Sequence, residues 1–255
     1  MLGLEIFVHS LKMVLRNLKE AMQISVVPAL IGGALMVGLF FVFDIPFENF
    51  DSRTTGFPEG VTMGSFVAFF LSLAVVFSIV IFWIVVSWHR FVLLEEYPRG
   101  MLPPFKFDRV LAYLGRVLLL GLFAIGLMVP GSFIAGSAIQ ASVPIGIVVW
   151  VVLVAGLWIG FYRFSPVLPG AAIGKPMTFY DAWHATAGSN GQILLLIFLS
   201  FIFQLLMQFL VGLVIAVPVM GLIISVFVTM LILPLINVSI LTTMYGVFIE
   251  KRELA

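Results

Sequence analysis

Six apolar stretches, each long enough to cross a lipid bilayer as a helix, constrain this chain more than any other feature. A spanning helix needs roughly 20 mostly apolar residues. The stretches cover about residues 21–43, 63–88, 117–139, 145–162, 192–217 and 222–248. A water-soluble fold of 255 residues could not hide them, because 62% of the chain is hydrophobic and only 10% is charged. Soluble domains carry about 25% charged residues. Lipid removes the difficulty by replacing water as the solvent. The expected fold class is an all-α integral membrane protein with six transmembrane helices, forming a single membrane domain over residues 1–255. Pro28, Pro130 and Pro234 fall inside the stretches. Neighbouring helices can satisfy the carbonyls they free, usually at a kink.

Charge then orients the slab, since Lys and Arg collect on the cytoplasmic side. Lys12, Arg16 and Lys19 precede the first span. Arg90, Arg99, Lys106, Arg109 and Arg116 lie between the second and third, and Arg163 and Lys175 between the fourth and fifth. Lys251 and Arg252 follow the sixth. Of the 13 basic residues only Arg53 falls on the other side, among Asp44, Glu48, Asp51 and Glu59. The other two outer turns, near Gln140 and Val219, carry no charge. An odd number of spans would destroy this segregation, so both termini are expected in the cytoplasm. The N-terminus does not read as a cleaved signal peptide. Its basic residues follow an amphipathic stretch, and the apolar run behind them lacks a small-x-small cleavage site.

Three cytoplasmic-side segments have the pattern of interfacial amphipathic helices rather than spans. In residues 4–20, Leu4, Phe7, Leu11, Leu15 and Leu18 follow helical spacing on one face, and Glu5, His9, Lys12, Arg16 and Lys19 on another. Such a helix lies in the interface with its basic side toward anionic headgroups. Residues 105–116 repeat the theme, with Phe107, Val110, Leu111 and Leu114 apolar and Lys106, Arg109 and Arg116 basic. Arg116 can snorkel from the start of the third span. In residues 178–187, Thr178 followed by Asp181 resembles a capping box, and Trp183 would sit at headgroup level. The order of amphipathic helix and transmembrane hairpin thus recurs three times. Phe7 precedes Arg16 by the same interval as Phe107 precedes Arg116.

Several function classes drop out. The middles of the spans hold no ionisable residue, and intramembrane charge is what pumps, voltage sensors and ion-coupled carriers use. Cysteine is absent, which removes thiolate nucleophiles and Cys-based metal sites. His9, His89 and His184 lie far apart along the chain at the interface. His89, Arg90, Glu95, Glu96 and Arg99 read as a solvated charge cluster. Glu95-Glu96-Tyr97-Pro98-Arg99 does not fit the paired-glutamate motif of intramembrane prenyl-protein proteases: the arginine is one residue too near and no span supplies a histidine. Gly131-Ser132 likewise lacks a base for serine proteolysis. There is no Gly-rich phosphate loop with its lysine. No catalytic residue, cofactor or metal is expected. With a net charge of +1 neither is a nucleic-acid partner.

The polar residues within the spans remain. Ser200, Gln204 and Gln208 recur every four residues on the fifth helix, with Gly212 and Ala216 continuing the row. Ser225, Thr229 and Asn237 lie near Pro234 on the sixth. They form either a polar wall of a substrate path or helix contacts, where amides bond across and small residues allow close approach. Gly156-x-x-x-Gly160 fits a close helix crossing.

The stretch Ser165-Pro166-Val167-Leu168-Pro169, and Lys175-Pro176-Met177-Thr178-Phe179-Tyr180-Asp181-Ala182-Trp183-His184-Ala185-Thr186-Ala187-Gly188 after it, resembles a group of mostly uncharacterised bacterial six-helix inner-membrane proteins. These are similar to the membrane domain fused to some glycerophosphodiester phosphodiesterases. Ser87-Trp88-His89-Arg90-Phe91 also looks like that group. The resemblance implies the six-helix fold and the bacterial inner membrane. It implies no reaction, because phosphodiesterase chemistry belongs to a soluble domain this chain lacks.

The leading expectation is a non-enzymatic inner-membrane protein that organises lipids or a membrane-protein partner. Anionic headgroups would meet Lys12, Arg16, Lys19, Arg90, Arg109, Arg116, Arg163, Trp183 and His184. The alternative is a transporter or channel for a neutral or amphipathic solute, using Ser200, Gln204, Gln208 and Asn237. An intramembrane enzyme ranks last.

Overall fold

The computed structural model describes residues 2–46, 61–98, 100, 102–215 and 217–254. Arg53 with Glu48, Asp51 and Glu59, and likewise Arg99 and Ala216, lie outside the described residues. The regular structure among those described is entirely helical, and six helical rods are long and apolar enough to cross a membrane.

The elements run α1 (Leu2–Arg16), α2 (Leu18–Val42), α3 (Met63–Leu94), α4 (Phe107–Ala141) and α5 (Val143–Phe164). Then come α6 (Val167–Ile173), α7 (Phe179–Ala185), α8 (Asn190–Val214), α9 (Met220–Phe227), a π-helical turn (Val228–Ile232) and α10 (Leu233–Phe248). α2 pairs with α3 and α4 with α5, while α9 and α10 form the rod that follows α8. Both chain ends meet at one end of the bundle, where Leu2 and Leu254 pack on one core cluster. We call this end the terminal face.

Local sequence explains the joints. Asn17 breaks the first amphipathic stretch, its side-chain amide donating to the Met13 carbonyl at 2.7 Å and so ending α1. Ser142 alone separates α4 from α5, and Pro144 in the first turn of α5 suits a helix start. Thr178 and Asp181 form a reciprocal capping box at the start of α7. Pro234 has no N–H to give back to Met230, and the π-helical turn lies immediately before it.

Three expectations change here. Residues 4–20 are not one interfacial helix: α1 packs against α8 and α10, and α2 begins after Asn17. The buried face of α1 is Gly3, Ile6, Phe7, Ser10 and Val14, whereas Leu4, Leu15 and Leu18 are exposed. Small Gly3 and Ser10 let neighbouring helices approach, which outweighs the leucines because lipid receives leucine as readily as protein does. Residues 105–116 form no separate helix either, since α4 runs on unbroken from Phe107. The Gly156–Gly160 crossing is not made among the described residues, for both glycines have open space beside them there. The close approaches fall instead at Gly32, where a Cβ would lie 2.7 Å from Val80, and at Gly131, where it would lie 2.6 Å from Leu153.

Burial concentrates at the terminal face. Every residue of α6 is buried, as are most of those in α10 from Leu233 to Phe248. Toward the hairpin tips the spans largely face outward.

Gly32→Val should therefore force α2 and α3 apart and cost about 1–3 kcal/mol. Gly156→Val should cost less than about 0.5 kcal/mol. Thermal unfolding of both variants in the same detergent tests the contrast.

Candidate functional site

A polar knot ties the terminal ends of the helices together, and α10 is its centre. Ser239, Thr242 and Thr243 stand within about one helical turn of each other. The Trp88 indole N–H donates to Ser239 Oγ at 2.8 Å. His89 Nδ1 lies 2.8 Å from Thr242 Oγ1. The Ser10 and Thr243 hydroxyls meet at 2.9 Å. Two of these bonds reach α3 and the third reaches α1, so one turn of α10 fixes both neighbours.

His89 meets Thr242 through Nδ1. The Thr242 hydroxyl donates its single hydrogen to the Val238 carbonyl at 2.9 Å. With that hydrogen so placed, an imidazole proton on Nδ1 satisfies the 2.8 Å contact as well. The Nε2 atom is buried with no hydrogen-bond partner among the described residues, and the Tyr113 ring lies 5.7 Å from the imidazole, centroid to centroid. His89 is 0% exposed. It does not belong to a solvated cluster at the interface, because α3 continues past it to Leu94 and carries it into the core.

Two arginines expected at headgroups are used structurally instead. Arg163 is 7% exposed. It donates to the Trp183 carbonyl at 2.6 Å and to Thr186 Oγ1 at 3.3 Å. Its guanidinium carbon lies 3.4 Å from the Trp183 ring centroid. It thus closes the carbonyl end of α7, where a cation is favoured by the helix dipole. Arg90 bonds Glu96 through Nε at 2.6 Å and the Ala172 carbonyl through a terminal nitrogen at 3.3 Å. That carbonyl belongs to the last turn of α6. Gly174, at φ +80°, ends α6 in the left-handed conformation that glycine adopts without strain.

The other candidates stay outward. Lys12, Arg16 and Lys19 are exposed and make no hydrogen bond or ion pair among the described residues. Arg116 is half-buried and equally uncommitted, while Arg109 pairs with its exposed neighbour Asp108 at 3.0 Å. Trp183 keeps an exposed edge, and the ring of exposed His184 lies 4.1 Å from that of Tyr180, tilted by 49°.

The polar row of the fifth span does not converge with Asn237. Ser200 is half-buried against Tyr162 of α5, Gln204 is half-buried, and Gln208 is exposed. Asn237 is exposed too and spends its amide on the Leu233 carbonyl of its own helix, at 3.1 Å. A groove of about 540 Å³ does run between α2, α3 and the α9–α10 rod. Its walls are apolar residues such as Ala29, Ile84, Val226 and Met230, and none of the four polar candidates lines it.

Sequence reading missed Ser239, Thr242 and Thr243. The available signal was a cluster of hydroxyls at the basic end of an otherwise apolar span, opposite the indole and imidazole of Trp88-His89. Among the described residues no three His, Cys, Asp or Glu side chains come together as metal ligands would. Comparison with protein families, with curated proteins and with solved structures finds no match to this chain.

A double-mutant cycle of Trp88→Phe and Ser239→Ala should give a coupling of about 0.5–1.5 kcal/mol, as for other hydrogen bonds between membrane helices. Asn237→Leu should change stability by much less, since it breaks no contact between helices; equal losses would contradict the assignment. Replacing Arg163 with Gln should loosen α7, read as faster amide exchange confined to residues 179–187.

Proposed function

We propose that this chain is a non-enzymatic multi-pass protein of the bacterial inner membrane that organises anionic lipid at its cytoplasmic face, with both termini there. The observation that carries the reading is how the basic residues divide. Arg90 and Arg163 are spent on helix ends. Lys12, Arg16, Lys19 and Arg116 have no protein partner among the described residues, and Arg109 has only a surface pair. All sit on the terminal face. Each such cation near an anionic leaflet contributes about 1 kcal/mol of attraction. The likeness of Ser87 to Phe91 and of Ser165 to Gly188 to bacterial six-helix inner-membrane proteins supports the same location and adds no reaction.

A membrane-protein partner is the variant of this reading favoured by the exposed groove between α2, α3 and the α9–α10 rod. The transporter reading loses support, because none of Ser200, Gln204, Gln208 and Asn237 lines the groove between α2, α3 and the α9–α10 rod, and Asn237 bonds within its own helix. The middles of the spans hold no ionisable residue, the kind of group that ion-coupled carriers use.

The chain has no native cysteine, so topology can be read with single introduced thiols. Ser142→Cys, between α4 and α5, should react with an impermeant maleimide from outside intact cells. Lys251→Cys should react only after permeabilisation, and the reverse pattern overturns the orientation. Lipid extracted with the protein in polymer discs should be enriched in anionic species over the bulk membrane. Equal composition counts against the lipid role.

A further inference from the structure

We infer that the notch between α4 and the segment ending α6 binds the phosphate of an anionic phospholipid. This rests on the lipid-organising reading and narrows it to one site. Arg109, Ala112, Gly115 and Arg116 of α4 line the notch, and Ala171 and Pro176 close it from the opposite side. Its volume is about 270 Å³, which admits a phosphate with its glycerol.

The chemistry comes from spacing. Seven residues are nearly two helical turns, so Arg109 and Arg116 share a face of α4 with roughly 10 Å between them along the axis. Between them stand only Ala112 and Gly115, which leave the floor open. Both side chains are long enough to fold over that floor and grip one phosphate from either end. Gly174 allows this: the Arg109 guanidinium packs where a side chain at Gly174 would stand, 2.8 Å from its Cβ position. Arg116 has no competing partner among the described residues. Asp108, the partner of Arg109, is 66% exposed, and a surface pair of that kind contributes little and yields to a phosphate. The nearby cations Lys106 and Lys175 are engaged with Glu96 and Glu250.

Beyond Arg116 the lining turns apolar at Leu119. Exposed Leu122 and Phe123 continue the lane along α4 into the membrane-spanning part. A free anion would use only the charged end. A phospholipid uses both, with its phosphate between the arginines and an acyl chain along the lane.

The test is titration of the full-length protein, in micelles of a neutral detergent, with dioctanoyl phosphatidylglycerol, dioctanoyl phosphatidylcholine and glycerol 3-phosphate. The wild type should bind the phosphatidylglycerol at least tenfold more tightly than either of the others. R109Q/R116Q should lose at least tenfold in that affinity. G115L should do the same with every charge kept, by filling the floor. A Cβ at Gly115 meets no atom within 4 Å, so this variant folds, and it decides the matter if the double variant does not. K12Q/R16Q/K19Q should bind like the wild type. Unchanged affinity in R109Q/R116Q or in G115L overturns the notch. A loss confined to K12Q/R16Q/K19Q also overturns it while leaving the wider lipid role standing. No preference for the anionic lipid in the wild type overturns both. If glycerol 3-phosphate binds as tightly as the phosphatidylglycerol, the ligand is a free anion and the lipid assignment fails.

Discussion

Apolar side chains gain nothing by leaving lipid for one another, so greasy helices need another reason to stay together. In this protein the reason is concentrated in one turn of α10. Ser239, Thr242 and Thr243 each hold a side chain from another helix, Trp88 and His89 of α3 and Ser10 of α1. Left unmade, such polar groups would face hydrocarbon, which is where their directional value comes from. Each bond contributes little alone, on the order of 1 kcal/mol. Together they set the rotation of α1 and α3 about α10, and the close-packed contacts of Ile24, Phe91 and Ile236 follow from that setting.

A second consequence concerns charge. Two arginines at the terminal face satisfy the carbonyl ends of short helices, Arg90 at α6 and Arg163 at α7. α6 is seven residues long and wholly buried, so its open carbonyls have little access to water. A guanidinium can bring several donors to such a helix end while its flat face stacks on a ring, as Arg163 does on Trp183. Arg252 does the same for α3, donating to the Leu93 carbonyl at 3.1 Å, whereas Lys12, Arg16, Lys19 and Arg116 have no such partner among the described residues. Helix capping thus draws on the same pool of basic residues to which the proposed function assigns membrane orientation and lipid attraction. Burial separates the uses.

The hairpin tips contrast with the terminal face. The spans there bury few residues, and nearer the terminal face the groove between α2, α3 and the α9–α10 rod is open and largely apolar. In the proposed membrane setting, lipid would complete the packing that protein leaves unfinished. Tight approaches are reserved for places where glycine allows them, Gly32 against Val80 and Gly131 against Leu153. Gly156 and Gly160 have the same spacing as a crossing motif and meet nothing among the described residues, because spacing says that a helix can be approached closely, not that it is.

The sequence by itself determined the number of spans, the all-helical class and the collection of cations at one face, because these depend on transfer of residues between water and lipid, a property of composition along a line. It also held the capping box of Thr178 and Asp181, which is local. Only the tertiary structure decided which cations are free and which face of α1 is buried. It alone drew His89 into the core and kept Asn237 apart from Gln204. Those outcomes turn on helix rotation, and rotation is set by pairwise packing and hydrogen bonds between residues as far apart as Ser10 and Thr243. In a chain where nearly every face is apolar, periodicity gives no sign of which side turns inward.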